Sequence, residues 1–340
     1  MVQGCPVEVL DHIFEYTIYL DPENAQATLC SLMLTCSHFR TIAKRHFIRI
    51  VCLPNAEKIN VFASYLKQMV ESGDYGKGRL PIHHLAVMGK YRIPQGLSFR
   101  RLSDAEAEAE RIVPFIITTA APSLLTLTIF GVDIFGADTD FVNVDTREDF
   151  HNEVPLVPKV TTFPKLRDLI ALEQHVIPVM LLDDNGNPDK RACQLKYPSL
   201  RRLYIPGYVG LSLPSALPYL EHLRLEMLDQ EYDGPPREGV AHVRSLIIDA
   251  PRYSPYILAG CIGYPQSRDE YDSKISKCQT LIDEVGNSER SGIVIPADGF
   301  TQYVDRGRIL SAWVDTVVGA LGCWATGWVP TTPYSGRYKI

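Results

Sequence analysis

The stretch Pro198-Ser-Leu-Arg-Arg-Leu-Tyr-Ile205 carries the pattern that decides the fold of this chain. Its core, apolar-x-x-Leu-x-apolar, occurs six times, and successive copies begin 42, 42, 34, 20 and 23 residues apart. The copies are residues 82–87, 124–129, 166–171, 200–205, 220–225 and 243–248. Because side chains alternate between the two faces of a strand, each copy predicts a short strand with one apolar face.

The repetition is typical of the strand part of a leucine-rich repeat with irregular spacers. One repeat cannot bury its apolar face alone, whereas six stacked repeats build a continuous core. The outward strand residues would then line one concave surface, and they are Ala86, Thr128, Ile170, Tyr204, Arg224 and Ile247. The alternative is an ordinary α/β domain with a parallel sheet, which the separations of 20 and 23 residues disfavour because they leave little room for helices.

Further elements are predicted between and beyond the repeats. Residues 48–52 and 292–296 alternate like strands. Helices are expected over 56–69, 103–119, 272–285 and 308–318, the second opening on an N-terminal signal at Ser103 and broken or kinked at Pro114. The fold class is therefore α+β, with an irregular α/β solenoid following a helical N-terminal module.

Composition bounds the function. The 340 residues are 46% apolar and 22% charged, which excludes global disorder. A net charge of −6 argues against sequence-independent nucleic-acid binding, which requires neutralisation of phosphates. No stretch reaches the roughly 20 apolar residues of a membrane span, and the N-terminus does not resemble a signal peptide. Eight cysteines without a Cys-x-x-Cys pair, and no Asn-x-Ser/Thr site, favour an intracellular protein of cytoplasm or nucleus.

Motifs that carry chemistry are largely missing. The chain has no nucleophile elbow, phosphate-binding loop, dinucleotide fingerprint or His-Glu-x-x-His motif. Residues 183–189 are interpreted as a solvated turn, because Pro188 and Gln194 stand where a calcium loop needs Gly and Glu. His83 and His84 cannot face the same side of a strand, so one core and one exposed histidine are expected. No catalytic, cofactor-binding or metal-binding residue is assigned.

Two surface features remain open to a binding role. The acidic stretch Gly131–Pro158 is either a solvated insertion, which is favoured, or a recruiting loop. Basic clusters at Arg201-Arg202 and at 40–45 are either solvated or placed against an acidic partner. Tyrosines crowd the later repeats, where they either fill gaps between repeats or contact a partner.

The first fifty residues predict three short amphipathic helices. Pro6 suits a first helical position, and Leu10, Ile13 and Phe14 recur at helical spacing. A second helix is expected over 25–39 and a third over 40–47. A core this small usually depends on a neighbouring domain or a partner. The segment could also be no more than an N-terminal cap on the larger fold.

This segment resembles an F-box, whose pattern opens on Leu-Pro-x-Glu and later shows an apolar-Cys-x-x-aromatic step. The matching residues are Pro6, Glu8, Leu10, Ile13, Phe14, Leu32, Leu34, Cys36, Phe39 and Ala43. Cys5, Thr35 and Ser37-His38 depart from the family pattern. The resemblance implies docking onto the Skp-type adaptor of a cullin ubiquitin ligase. It implies as adaptor-binding residues Pro6, Glu8, Leu10, Ile13, Phe14, Leu32, Cys36 and Phe39.

The whole chain resembles F-box proteins with C-terminal leucine-rich repeats, of the type abundant in mushroom-forming fungi. The closing element of that type corresponds here to Trp313 and Gly319–Trp324. The division expected is a module at 1–50, a solenoid at 51–300 and a C-terminal helix and tail at 301–340. The implied function is a non-enzymatic substrate receptor with an unknown protein target, contacted through Tyr204, Tyr208 and Arg224. The alternatives are a repeat protein without ligase association and, less favoured, an enzyme with a non-motif site.

Overall fold

The computed structural model describes residues 5–20, 22, 24–73, 80–89, 103–131, 160–172, 194–206, 217–226, 243–249, 268–285, 291–295, 306–320 and 322–324. Its helices are α1 (Val7–Leu20), α2 (Ala25–Thr35), α3 (Ser37–His46), α4 (Ala56–Ser72), α5 (Asp104–Ala120), α6 (Arg268–Val285) and α7 (Arg306–Val317). A short 3-10 helix covers Gly322–Trp324. The predicted mixture of helices and strands is confirmed.

Eight strands form one open, entirely parallel sheet. They are β1 (Ile50–Leu53), β2 (His84–Met88), β3 (Thr126–Phe130), β5 (Asp168–Ala171), β7 (Arg202–Pro206), β8 (His222–Glu226), β9 (Ser245–Asp249) and β10 (Ser291–Ile295). Each strand pairs with the next in chain order. The six repeats therefore neighbour one another in the predicted order, and the strands predicted at 48–52 and 292–296 are present at the two ends.

Within this sheet the repeat leucines form one column. Leu85, Leu127, Leu169, Leu203, Leu223 and Leu246 are successive register partners, and all are buried. They pack against α4 and α5, and against Cys278 and Ile282 of α6. Each strand begins two residues later than its repeat, because the first apolar residue of the pattern, such as Leu200, lies in the turn before the strand.

The opposite face of the sheet is also covered. Ile50, Ala86, Ile170 and Tyr204 belong to a second buried cluster with residues of α1 to α3, α7 and the 3-10 helix. The prediction that the outward strand residues face an open concave surface is therefore wrong. The sequence pattern located the strands correctly but did not show that the two ends of the chain fold back over this face.

Two further differences concern local structure. A second parallel sheet joins β4 (Val160–Thr162) to β6 (Gln194–Lys196), and Phe163 stacks on Tyr197 beside it with ring centroids 5.2 Å apart. Three-residue strands are too short for a periodic signal. Helix α5 continues through Pro114, so the predicted break is wrong. Its N-terminus has the full capping box between Ser103 and Glu106, which satisfies two backbone N–H groups.

Candidate functional site

Helix α1 has two apolar faces, one buried and one exposed. Leu10, Phe14 and Ile18 lie at spacings of four and are buried in the cluster that covers the sheet. A second series, Val9, Ile13, Tyr16 and Leu20, follows spacings of four, three and four, which places it on one side of the helix. All four members are exposed, with Ile13 at 49% and Tyr16 at 66%. We call these four residues the exposed stripe.

The eight residues expected to bind an adaptor divide by burial. Pro6, Glu8, Ile13 and Cys36 are exposed, and Leu32 and Phe39 are partly buried. Leu10 and Phe14 retain only 4% and 2% of their surface. A side chain with so little exposure has no area left for a partner, so the expectation for these two is corrected: they belong to the protein's own core. Phe14 packs edge-to-face on Phe39, with ring centroids 5.2 Å apart.

Cys36 separates two helices where the sequence predicted one continuous run over 25–39. Its backbone is extended, with φ −160° and ψ 166°, and its Sγ accepts a hydrogen bond from the Phe39 backbone N–H at 3.4 Å. This is an N-cap arrangement, which satisfies one of the free N–H groups at the start of α3. The thiol has this structural role in addition to lying on the surface.

A polar contact joins the N-terminal helical module to the sheet, between Tyr19 of α1 and His84 of β2. The Tyr19 hydroxyl is hydrogen-bonded to Nε2 of His84 at 3.3 Å, and the Thr126 hydroxyl is hydrogen-bonded to Nδ1 of the same ring at 3.0 Å. One ring nitrogen donates and the other accepts, and the two hydroxyls can serve either tautomer. Burial, followed by the nearby charge of His83, lowers the pKa of His84 to about 3, so it is neutral at pH 7. The expected core histidine is therefore His84, whereas His83 is half-buried and not exposed as expected.

Two contacts strengthen the module itself. His46 is fully buried and its Nε2 donates to Asp11 at 2.9 Å. Burial lowers the pKa of His46, although the hydrogen bond to Asp11 opposes this. Arg49, in the turn before β1, donates to Glu15 of α1 at 2.6 Å. Helix α1 is thus tied to α3 and to the start of the sheet by charge-assisted hydrogen bonds.

Two of the residues expected to bind a target, Tyr204 on β7 and Arg224 on β8, lie on the same sheet face, where the 3-10 helix covers them. Arg224 is fully buried and donates twice to the carboxylate of Asp249, at 2.6 Å for each bond. It also donates to the backbone carbonyl of Cys323 at 2.5 Å. Its guanidinium carbon lies 5.1 Å from the ring centre of Tyr204, which packs edge-to-face on Trp324. Tyr204 is 1% exposed.

We call these five residues, Tyr204, Arg224, Asp249, Cys323 and Trp324, the C-terminal clasp. They hold the 3-10 helix onto the sheet, so the expectation that Tyr204 and Arg224 face a target is corrected. Tyr208, the third such residue, lies outside the described residues, as do residues 183–189 and most of the acidic stretch. No periodic signal links Arg224 to Asp249. They stand on adjacent strands, and Asp249 lies two residues beyond Ile247, the register partner of Arg224, and so on the same face of the sheet.

The described residues contain neither a metal-binding cluster nor a membrane-spanning helix. Among them, no three His, Cys, Asp or Glu side chains are grouped closely enough to hold a metal ion. None of the helices in the described ranges combines the length and apolarity that crossing a bilayer requires.

Comparison with known proteins identifies the N-terminal part. Residues 6–54 match the F-box-like family, and this range covers α1, α2, α3 and β1. No curated protein and no solved structure matches the chain. The matched segment therefore ends on the first strand of the sheet, and the F-box resemblance is confirmed for this segment.

Proposed function

We propose that the protein is a substrate receptor of a Skp-cullin-F-box type ubiquitin ligase. One observation carries the proposal: the segment that matches the F-box-like family exposes an apolar stripe that its own core does not use. F-box domains in general bind Skp-type adaptors, and a soluble helix rarely exposes four aligned apolar residues without a partner. The exposed stripe, with Pro6, supplies the adaptor contact.

In this proposal the sheet is an array of leucine-rich repeats that recruits a protein target. The column of register-paired leucines supports it, because each repeat contributes one strand whose leucine is buried beside those of the neighbouring repeats. The receptor has no active site of its own. It raises the effective concentration of the target near the activated ubiquitin, which the other subunits supply.

Shared packing makes the bridge between adaptor and target rigid. Phe14 and Ile18 of the module lie in the same buried cluster as Ala86 and Ile170 of the sheet. The hydrogen bond between Tyr19 and His84 joins the same two parts. A rigid receptor keeps the distance between adaptor and target fixed, and ubiquitin can be transferred only if that distance lets it reach the target. The target is therefore held at a defined site on the sheet domain.

The decisive experiment changes the exposed stripe and leaves the core intact. Ile13→Arg places a charge at the centre of the stripe, and we expect at least about tenfold weaker co-purification of a Skp-type adaptor, as for a disrupted interface anchor. The matched control is Val70→Arg, which puts the same charge on an apolar residue of α4 with similar exposure, 51%. Unchanged adaptor binding by the Ile13→Arg variant would refute the assignment.

A second function is favoured by one specific observation. Leu10 and Phe14 stand at F-box pattern positions, but both side chains are buried in the protein's own core. This suits a repeat protein that keeps the helices as a cap and binds its partner without a ligase. The co-purification experiment separates the two functions, because wild-type protein would then retain partner proteins but recover neither adaptor nor cullin.

A further inference from the structure

The residues immediately before the strands form a continuous row along one edge of the sheet. The row comprises Arg49, His83, Leu125, Arg167, Arg201, Glu221 and Arg244, and we call it the rim. Each backbone N–H in it donates to the carbonyl of the preceding member at 2.7–2.9 Å. Adjacent members are therefore fixed at about the strand spacing of 4.8 Å.

The rim is basic on a chain whose net charge is −6. Arg167, Arg201 and Arg244 are exposed, and Lys165 is exposed next to them. Glu221 is the one acidic member of the row, and it pairs with Arg201 at 3.1 Å. Its side chain is half as exposed as that of Arg201, 31% against 60%. Over the four neighbouring strands β5 to β9, the rim thus presents exposed arginines before β5, β7 and β9, while Glu221 stands before β8 and is paired with Arg201.

The pKa values of two histidines, His83 in the rim and His222 next to it, are lowered mainly by burial. Burial, and then the charges of Arg49 and Lys165, lower the pKa of His83. Burial also lowers the pKa of His222, and Arg202 and Arg244 act in the same direction against Glu221 and Asp168.

We propose that the rim docks an acidic, Asp/Glu-rich segment of a protein partner. The inference rests on the proposed function in taking this partner as the target, and it names the target by its charge. An extended segment running across the strands carries carboxylates at intervals that single arginines on successive strands can meet. Carboxylate pairing is the chemistry this part of the molecule already uses, in Arg201 with Glu221 and Arg202 with Asp168.

Other anionic partners fit the rim less well. A phosphorylated residue concentrates its charge at one point and needs several arginines converging on it, whereas the rim arginines stand on separate strands. Nucleic acid requires many phosphate contacts against a chain that is net acidic overall. The row also lacks the aromatic side chains on which single-stranded bases stack, with His83 as its one ring.

The test measures binding of a labelled 15-residue peptide carrying five glutamates to the full chain by fluorescence anisotropy. The rim variant is Arg167→Gln/Arg201→Gln/Arg244→Gln, and we expect about tenfold weaker binding and a shallower dependence on salt. The matched control is Lys58→Gln/Lys67→Gln/Arg111→Gln, which removes three exposed charges from α4 and α5 and should bind like wild type. A double variant, Arg167→Gln/Arg244→Gln, keeps the Arg201–Glu221 pair and should show most of the loss.

Several outcomes would overturn the proposal. One is equal loss in the rim and control variants, which would indicate net charge alone. Another is tighter binding of a phosphoserine peptide or a single-stranded oligonucleotide of the same net charge. Adaptor co-purification is measured in parallel on the rim variant, and we expect it to be unchanged. If wild-type protein fails to recover adaptor but binds the peptide through the rim, the proposed function fails and the rim assignment stands.

Discussion

Arg224 and Asp249 form a buried bidentate ion pair, in which both hydrogen bonds are 2.6 Å long. The two residues lie on adjacent strands, 25 positions apart in the chain. Although burial disfavours its charge, the hydrogen bond to Asp249 raises the pKa of Arg224 above its ordinary value. The guanidinium therefore stays charged and can hold the Cys323 carbonyl as a third partner.

Breaking this pair on one side should be costly. Arg224→Met leaves the carboxylate of Asp249 buried without its partner, and we expect a loss of about 3–5 kcal/mol in the free energy of unfolding. The double change Arg224→Met/Asp249→Leu removes both charges and should recover most of that loss. Urea unfolding followed by tryptophan fluorescence measures both. Equal stability of the single and double variants would show that the pair is not coupled.

Substitutions of Leu10 and Ile13 should differ in their effect on stability, because Leu10 is buried and Ile13 is exposed. Leu10→Ala removes a buried side chain and should lower the free energy of unfolding by about 2–5 kcal/mol. Ile13→Ala removes an exposed one and should change it by about 0.5 kcal/mol or less. Thermal unfolding of the two variants tests this directly. If the Leu10→Ala variant were as stable as wild type, Leu10 would not be a core residue and would again be expected to contact the adaptor.

His84 should make the protein acid-sensitive. Its pKa is about 3 in the folded state, below the ordinary 6.5, so the unfolded chain binds a proton at a pH where the folded chain does not. Stability therefore falls as pH drops from 6.5 towards 3, by about 1.4 kcal/mol per unit from this group. His84→Gln keeps a polar side chain without the titration. The difference in unfolding free energy between wild type and variant should narrow between pH 6 and 4, and a constant difference would contradict the assignment.

Gly292 permits a close approach between β10 and α6. A Cβ at this position would lie 2.6 Å from Cγ2 of Ile282, a buried side chain of the helix. Gly292→Ala should therefore cost about 1–3 kcal/mol through overpacking. Combining it with Ile282→Ala removes the clashing atoms, so the double variant should lose less than the sum of the single losses. Strict additivity in chemical denaturation would exclude the contact.

The sequence was sufficient for the elements whose signal is local and periodic. Leu127, Leu169 and Leu203 repeat one strand pattern, and because each strand pairs with the next, chain order also gave sheet order. The capping signal at Ser103 placed the start of α5 within one residue. The exposed stripe could have been found by the same means, since Val9, Ile13 and Tyr16 follow helical spacing. It was missed because the buried face of α1 has the same period.

The covered face could not be inferred in this way. Nothing in the pattern around Tyr204 or Arg224 distinguishes a strand face that meets solvent from one that meets Trp324, which is 120 residues from Tyr204 in the chain. Alternation assigns residues to opposite faces but does not say what lies against either face. A buried arginine is uncommon without a partner, and here Asp249 became a candidate only once strand register was known.

The shared cluster of α1 and α7 has a consequence for synthesis. Phe14 emerges from the ribosome almost three hundred residues before Trp313, yet both belong to the same buried cluster. At about 5–20 residues per second, the apolar face of α1 waits roughly 15–60 s for this C-terminal partner. During that interval α1 can already pack on α2 and α3, through contacts such as that of Phe14 with Phe39, but the buried cluster still lacks its α7 residues. An adaptor or chaperone that binds early would thus meet a module whose buried cluster is incomplete, and a stop before α7 would leave that cluster without Trp313.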